Sequence, residues 1–284
     1  MTIRAKAASL LAQLPLVRGY ALENEQLRSK LTESRQQIRE LVERQKRMDE
    51  DAEFLRQARE YDYYWKDAFK KIDIRQIMPF GEVAARVIRD DRTYLNFDRI
   101  YTLWQAVESL PSAARAVAEV GVYRGGSAWF VAEALRRSAR EMPFYVCDTF
   151  QGHVEVDERL DGLHRPGDQF TKVKAEKVAK YLRGFPFVRM EVGDIRETAP
   201  TFGNEHAFGL VHLDVDVYPI PRFCLDFFGP RMVPGGVIVM DDYGTTTCEG
   251  VKQAVDEFKA SNPGFRVLHL LTGQAVVTKL LQEA

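Results

Sequence analysis

The sequence has little of what marks disulfide-rich, membrane-spanning or nucleic-acid-binding proteins. Its three cysteines lie far apart and form no C-x-x-C pair, which argues against a zinc site or a disulfide framework. No apolar run approaches the roughly 18 residues that a membrane span needs. Forty basic residues against 41 acidic ones leave a formal charge of −1, so no overall field draws the chain to nucleic acid. We therefore expect a cytoplasmic protein that binds neither nucleic acid nor membranes.

The length and the apolar content set the scale of the fold. A chain of 284 residues with 45% hydrophobic residues is enough for one large domain and an appendage, at roughly 100 to 200 residues per domain. Residues 1–20 carry Arg4 and Lys6 before an apolar stretch, but Gln13 and Pro15 interrupt it and no small-residue cleavage site follows. This pattern predicts a helix rather than a signal peptide.

A long helix is predicted next, over residues 21–59, because this stretch has no Pro or Gly and is rich in Glu, Arg, Gln and Lys. Its heptad pattern places an apolar stripe on one face: Leu27, Leu31, Ile38, Leu41, Met48 and Leu55. Polar residues at Asn24, Ser34 and Gln45 weaken the stripe. It favours a coiled coil that makes a homo-oligomer, and packing against the rest of the chain is the alternative.

The remaining chain divides at Pro111. Residues 61–110 begin with an aromatic cluster, from Tyr61 to Trp65, and continue as amphipathic material, which predicts a helical cap. That gives three segments: 1–60, 61–110 and 111–284. In the last segment, short apolar runs alternate with longer amphipathic ones, which predicts β-α-β units and a mostly parallel sheet, an α/β fold. The predicted strands are 116–120, 144–147, 187–192, 209–213 and 236–240, then an antiparallel closing pair at 265–271 and 275–280.

Glycine and acidic residues follow the predicted strands at their carboxyl ends, where open parallel sheets bind ligands. After the first strand comes a glycine turn that leads into a helix, so backbone amides and the positive end of the helix dipole can face an anionic group. Its spacing is G-x-x-x-G-G, not the G-x-G-x-x-G of dinucleotide-binding enzymes. The candidate cofactor-binding residues of this turn are Glu119, Gly121, Tyr123, Gly125, Gly126 and Ser127.

The next two strands each end in an aspartate. Asp148 can accept hydrogen bonds from both hydroxyls of a ribose, which indicates a nucleoside but not which one. Asp194 can meet an adenine amino group, or it can cap the short helix that follows.

The fourth and fifth strands end in a group of carboxylates. Asp214, Asp216, Asp241 and Asp242 converge on one crevice, which is unfavourable unless a cation offsets their repulsion. Oxygen ligands without clustered His or Cys favour Mg²⁺ or Mn²⁺. We therefore predict a divalent-metal site held by three or four of these carboxylates. The alternative, that these residues only cap turns, fits one of them easily and the whole set poorly.

These motifs together resemble the macrocin-type sugar O-methyltransferases. The resemblance covers the chain from about Arg89 to its end and includes the turn from Glu119 to Ser127, the Asp148-Thr149-Phe150-Gln151-Gly152 turn, Gly193-Asp194, and Pro234-Gly235-Gly236 running into Asp241-Asp242-Tyr243-Gly244. It implies a Rossmann-like class I methyltransferase fold that binds S-adenosylmethionine over Glu119, Gly121 and Gly125, with Asp214 near the cofactor. By similarity, Asp214, Asp241 and Asp242 would hold magnesium. The N-terminal heptad helix is not part of this pattern.

The catalytic base is not given by the resemblance. Catechol O-methyltransferases, which use the same metal logic, carry a lysine soon after the first metal aspartate, whereas Val217 and Tyr218 stand here. Asp216 and His153 are the candidates: Asp216 follows the metal strand, and His153 begins a polar segment predicted to be mobile. His212 is interpreted as a strand residue with its hydrogen bonds satisfied.

Two other functions remain as alternatives. Asp214-Val215-Asp216 matches the D-x-D pattern of metal-dependent glycosyltransferases, although that pattern leaves the glycine turn and Asp241-Asp242 unexplained. A non-catalytic assembly protein, with a coiled coil on a methyltransferase fold, is the second. Neither the acceptor nor the hydroxyl that is methylated can be read from the sequence.

Overall fold

The structure is a computed structural model that describes residues 26–43, 45–46, 79–167, 169–202 and 207–281. The chain divides into two compact units, Met1–Ile74 and Arg75–Ala284. Within the described residues, no helix is both long and apolar enough to cross a membrane.

The first unit contains helix α1, residues 26–43, inside the stretch predicted to be helical. The stripe residues Leu27, Leu31, Ile38 and Leu41 are each more than half exposed. The predicted helix of residues 1–20, the aromatic cluster at 61–65 and the end of the heptad pattern, including Met48 and Leu55, lie outside the described residues. Self-association through this helix stays a prediction.

The second unit is an α/β sandwich. Its helices are α2 (Phe80–Arg89), α3 (Phe97–Glu108), α4 (Gly126–Arg137), α5 (Ala175–Leu182), α6 (Ile195–Thr198), α7 (Pro219–Phe228) and α8 (Glu249–Ser261). Its strands are β1 (Ala116–Val120), β2 (Phe144–Asp148), β3 (Val188–Val192), β4 (Phe208–Leu213), β5 (Met232–Met240), β6 (Phe265–His269) and β7 (Ala275–Lys279).

The seven strands form one sheet in the order β3-β2-β1-β4-β5-β7-β6. Strands β1 to β5 pair in parallel, and β7 pairs antiparallel with both β5 and β6. The predicted α/β fold and its antiparallel closing pair are confirmed. The strand order reverses between β1 and β4, and ligands bind beyond the carboxyl ends of the strands at such a reversal.

Burial of the central strands explains why they could be predicted from the sequence. Every residue of β1 and β4 is buried, since helices cover both faces of the parallel part, so each strand appears in the sequence as an apolar run with one polar residue, Glu119 in β1 and His212 in β4. One cluster on this sheet joins β1, β2, β4 and β5 to helices α7 and α8. Strand β3, at the sheet edge, is less buried.

Helices α2 and α3 belong to the same compact unit as the sheet. The Phe80 ring of α2 is packed edge-on against four aromatic rings, those of Phe97, Tyr101, Trp104 and Phe130, with centroids 4.9 to 6.0 Å apart. These contacts fix α3 beside α4. They also bring the first turn of α3, and with it Arg99, to the carboxyl ends of the strands.

Candidate functional site

A single cleft opens at the carboxyl ends of the parallel strands, where the sequence predicts a site. Nine of the predicted site residues line it: Gly121, Tyr123, Ser127, Asp148, His153, Asp194, Asp214, Asp216 and Asp242. The others lie behind its wall: Glu119, Gly125, Gly126 and Asp241. The structure therefore brings the predicted groups together, with a second layer of polar residues beneath the first.

The glycine turn is shaped by close backbone packing. Gly121 has φ +85°, and a Cβ there would lie 1.9 Å from the backbone oxygen of Asp214, so no larger residue fits. Gly125, with φ +83°, is the N-cap residue of α4. The turn that was predicted to approach a cofactor is thus also pressed against the end of strand β4.

Asp148 braces this turn. Its Oδ2 accepts hydrogen bonds from the backbone amides of Val122 (2.7 Å) and Tyr123 (3.0 Å), and its Oδ1 accepts one from the amide of Phe150 (2.7 Å). A carboxylate has about four lone-pair sites, so one remains for a ligand. The sequence motifs did not predict that Asp148 would hold the turn in place through these hydrogen bonds.

Asp194 caps helix α6, which was one of its two predicted roles. Its side chain accepts a hydrogen bond from the amide of Arg196 at 2.9 Å, and the Arg196 guanidinium also binds both carboxylate oxygens. The hydrogen bond to this guanidinium lowers the pKa of Asp194. Arg196 further pairs with Glu155. Asp194 still lines the cleft, and its predicted contact with an adenine remains a prediction.

His212 is a buried link between three strands. Its Nδ1 lies 3.0 Å from Oε1 of Glu119, and its Nε2 lies 2.6 Å from Oδ2 of Asp241. Burial alone would lower the pKa of His212, but the hydrogen bonds to these carboxylates outweigh it and raise that pKa well above the usual range. The raised pKa favours the protonated form of His212, and because each ring nitrogen has a carboxylate partner, neither nitrogen is free to bind a metal.

Arg99 supplies a second cation, and sequence reasoning did not find it. Its Nη1 lies 3.1 Å from Oδ1 of Asp241 and 3.1 Å from Oδ1 of Asp242, and its Nε donates to the backbone oxygen of Thr272 at 3.0 Å. The side chain is only 19% exposed. Burial would lower the pKa of Arg99, but Asp241 and Asp242 outweigh it and raise the pKa. The guanidinium holds two of the three predicted metal ligands.

The acidic residues form two separate groups rather than one triad. Oxygen atoms of Asp214 and Asp241 lie close to a ring nitrogen of His212, while Asp242 is grouped with Asp216 and Cys248, each within 4.8 Å. Burial, and then repulsion from Asp241, raises the pKa of Asp214 well above its usual range. Burial, and then Asp242, raises the pKa of Asp216 to about 6. Negative charge at this end of the cleft is only partly offset by the two cations.

The two candidate bases lie next to each other. His153 Nε2 is 3.6 Å from Oδ2 of Asp216. The segment that begins at His153 is joined to the sheet unit, because Asp161 accepts a hydrogen bond from the amide of Tyr218 at 2.9 Å and His164 Nε2 lies 2.9 Å from the backbone oxygen of Thr247. This segment forms one wall of the cleft.

The sequence around this cleft matches a known protein family. A family model described as macrocin O-methyltransferase matches residues 92–268, which include both the glycine turn and the acidic groups. The chain belongs to this family. The match confirms the resemblance seen in the sequence motifs.

Two curated relatives align over part of the chain. One is the 8-demethyl-8-(2,3-dimethoxy-alpha-L-rhamnosyl)-tetracenomycin-C 4'-O-methyltransferase of Streptomyces olivaceus, 29% identical over 154 residues, which are 50% of this chain and 56% of that protein. The other is the mycinamicin III 3''-O-methyltransferase of Micromonospora griseorubida, 28% identical over 183 residues, which are 59% of this chain and 70% of that protein. The first alignment thus spans little more than half of the relative's length.

Solved structures confirm the fold. The O-methyltransferase NovP superposes with a TM-score of 0.55 at 24% identity, covering 67% of this chain and 83% of that one. The calicheamicin methyltransferase CalS11 gives a TM-score of 0.52 at 18% identity, covering 75% and 98%. The sheet unit is therefore a Rossmann-like class I methyltransferase fold.

Proposed function

We propose that this protein is an S-adenosylmethionine-dependent O-methyltransferase that transfers a methyl group to a hydroxyl of a sugar, with a divalent cation at the acidic groups. The observation that carries the proposal is the single cleft that holds the glycine turn, Asp148 and the acidic groups. A methyl donor and a hydroxyl acceptor have to lie side by side, and this cleft offers adjacent places for both.

The cleft fits the cofactor in its chemistry. When bound, S-adenosylmethionine supplies a methyl group on a sulfonium. Asp148 keeps an acceptor site for ribose hydroxyls, and the start of α4 behind Ser127 presents a positive dipole end to a carboxylate. Beneath the turn, Oε2 of Glu119 is buried and has no hydrogen-bond partner among the described residues. An unsatisfied buried acceptor of this kind would suit a donor group of a ligand.

The acidic end of the cleft fits a divalent cation. Asp214, Asp216 and Asp242 face the cleft, while Asp241 is held behind it. Together with Glu119, these carboxyl groups outnumber the two cations that contact them, Arg99 and His212. Asp214, Asp241 and Asp242 would hold the ion, and for Asp241 this requires sharing an oxygen with Arg99. A bound Mg²⁺ would act as a Lewis acid that lowers the pKa of an acceptor hydroxyl.

The protein's own residues would then position the acceptor and remove its proton. Asp216 lies among the acids with a pKa raised to about 6, in the range suited to a base that works near neutral pH. His153, 3.6 Å from Asp216 Oδ2, can orient that carboxylate or accept the proton itself. The segment behind His153 closes one side of the cleft against water.

The acceptor class is proposed from the relatives' names. Both curated relatives are named for O-methylation at primed sugar positions of glycosylated natural products, and the family is named for macrocin. We extend this to a sugar hydroxyl on a glycoside here. The glycosyltransferase and assembly-protein alternatives find no support in the family match.

The test separates metal dependence from cofactor binding. Calorimetry should show S-adenosylhomocysteine binding both with Mg²⁺ and with excess EDTA, since Asp148 and the glycine turn do not contact the ion. Methyl transfer to a panel of methyl and 4-nitrophenyl glycosides should stop in EDTA and return with Mg²⁺ or Mn²⁺. Spin resonance of Mn²⁺ would count bound ion without any acceptor.

Matched variants sharpen this test. Asp242→Asn should lower methyl transfer by orders of magnitude and weaken Mn²⁺ binding, because it removes a charged ligand. Asp226→Asn, a change at an exposed carboxylate on α7, should do neither. Full activity in excess EDTA, together with an active Asp242→Asn variant, would exclude the metal and leave base catalysis by Asp216 or His153.

A further inference from the structure

Three aromatic rings form a rim along one side of the cleft. The rings of Tyr94 and Tyr123 are stacked, with centroids 4.9 Å apart and 22° between their planes, and their hydroxyls lie 3.0 Å apart. Phe170 is packed edge-on against Tyr123 at 5.5 Å. All three residues line the cleft. We refer to Tyr94, Tyr123 and Phe170 as the aromatic rim.

The rim is exposed and its backbone is strained. Tyr94 is 70% exposed and Phe170 is 38% exposed, which is unusual for large aromatic side chains packed against one another. Tyr123 and Phe170 both have left-handed backbone conformations, with φ of +51° and +61°. Bulky residues seldom adopt this conformation, and where they do the strain often accompanies function.

Contacts on the inner side hold the rim in place. The guanidinium of Arg124 lies 4.9 Å from the centroid of the Tyr123 ring. Tyr94 lies between two anchored arginines: Arg92 donates to the backbone oxygen of Arg124 at 3.1 Å, and Arg99 binds the acidic groups. The ring of Tyr94 is therefore presented by a fixed backbone and not by a free loop.

The rim begins next to the proposed base. The ring of Phe170 is edge-on to His153 at 6.1 Å, and His153 Nε2 lies 3.6 Å from Asp216. A sugar whose hydroxyl reaches the acidic groups would thus lie deeper in the cleft than Phe170. The next ring of the acceptor, attached to that sugar, would meet the rim.

We propose that the aromatic rim binds the aglycone of the acceptor, a flat and weakly polar ring system linked to the sugar that is methylated. Stacked tyrosines offer such a ring a large apolar surface at low entropic cost, while the polar cleft floor accepts the sugar. This inference rests on the proposed function. It adds that the enzyme recognises the part of the acceptor that does not react.

The adenine of the cofactor is the competing occupant of the rim. Asp194, which was predicted to lie near the adenine, lines the cleft at the end of β3, whereas Tyr123 follows β1, and β2 lies between these two strands. At Phe170 the rim instead borders His153, which lies beside Asp216. This placement favours the acceptor.

The experiment compares two glycosides of the same sugar, one with an aromatic ring attached and one with only a methyl group. With S-adenosylhomocysteine and Mg²⁺ present, 4-nitrophenyl α-L-rhamnoside should bind about tenfold more tightly than methyl α-L-rhamnoside in saturation-transfer NMR titrations, the scale of one stacking contact. Tyr94→Ala should abolish this preference, and Tyr94→Phe should keep it. Leu268→Ala removes exposed apolar surface on β6 and serves as the control, with no expected change.

The outcomes separate this inference from the proposed function. Equal binding of the two glycosides to the wild-type protein, or no measurable binding of the aryl glycoside at its solubility limit, would overturn the rim as an aglycone site. A Tyr94→Ala variant that loses S-adenosylhomocysteine affinity as strongly as aryl-glycoside affinity would assign the rim to the cofactor. A wild-type protein that does not bind S-adenosylhomocysteine would instead refute the proposed function.

Discussion

Removing the positive charge of Arg99 should reveal how the acidic groups are held together. In Arg99→Met the aliphatic part of the side chain is largely kept, while the guanidinium that joins Asp241 to Asp242 is lost. Asp241 keeps its hydrogen bonds from His212 and Gln274, at 2.6 and 3.3 Å. Asp242 loses the guanidinium contacts at 3.1 Å from both Nη1 and Nη2.

The size of the effect follows from burial. Removing one partner of a fully buried ion pair costs about 3 to 5 kcal/mol. The Arg99 and Asp242 side chains are 19% and 22% exposed, so water can partly solvate the remaining carboxylate. We expect Arg99→Met to lower the free energy of unfolding by about 2 to 3 kcal/mol in EDTA, somewhat less than for a fully buried pair.

Magnesium should change this result in a specific way. A ligand that binds only the folded state stabilises it by mass action, and a dication next to Asp241 and Asp242 supplies the charge that the variant has lost. Urea unfolding followed by circular dichroism, with and without Mg²⁺, should therefore show a larger gain from Mg²⁺ in Arg99→Met than in the wild-type protein.

A control and a clear contradiction complete this test. Lys252→Met removes an exposed ion pair with Asp256 on α8 and should cost no more than about 0.5 kcal/mol, with no dependence on Mg²⁺. If Arg99→Met in EDTA were as stable as Lys252→Met, Arg99 would not be holding the acids. If Mg²⁺ raised the free energy of unfolding of both variants equally, the guanidinium of Arg99 and a bound metal would not be neutralising the same carboxylates.

Two further predictions concern other parts of the chain. Because the pKa of Asp216 rises from 3.8 to about 6 in the folded protein, its ionisation costs stability above about pH 6 and costs nothing below about pH 4. In EDTA, Asp216→Asn should therefore be more stable than the wild-type protein at pH 8, by at most about 3 kcal/mol. Thermal melting should show that this difference in stability disappears near pH 4. A difference in stability that is the same at both pH values would contradict the raised pKa of Asp216. Deleting residues 1–58 should lower the number of copies per particle, as measured by light scattering, and leave S-adenosylhomocysteine binding intact, because the exposed stripe on α1 is predicted to pair with a second copy; an unchanged number of copies would refute self-association.

The fold was predictable because its signals are local. Strand β1 is apolar apart from Glu119 and is followed by glycines, and each later strand of the parallel sheet ends in Asp or is directly followed by Asp or Gly. The sheet rule then places those ends together without knowledge of any contact. The same reasoning located Asp148, Asp214, Asp216 and Asp242 at one cleft.

The other residues of the site have roles that no local sequence pattern predicts. Arg99 is one of many basic residues on amphipathic helices, and its partner Asp241 lies 142 positions further along the chain, so only the folded structure brings the two together. Tyr94 stands in a short irregular stretch between helices, where the sequence shows no periodicity. The charge state of His212 depends on two carboxylates from other strands. Each of these roles arises from tertiary contact, so a pattern along the chain cannot reveal it.

The contact between Gly121 and the backbone of Asp214 has a consequence for how this protein could change its substrate. The two main chains touch without any side chain between them, so the sheet itself sets the distance between the proposed methyl-donor site and the proposed hydroxyl site. A mutation would have to part β1 from β4 to widen that distance. Divergence towards new acceptors should therefore accumulate in residues 92–95 and in His153, Val154 and Phe170, which line the cleft from outside the sheet, while the strand ends stay the same.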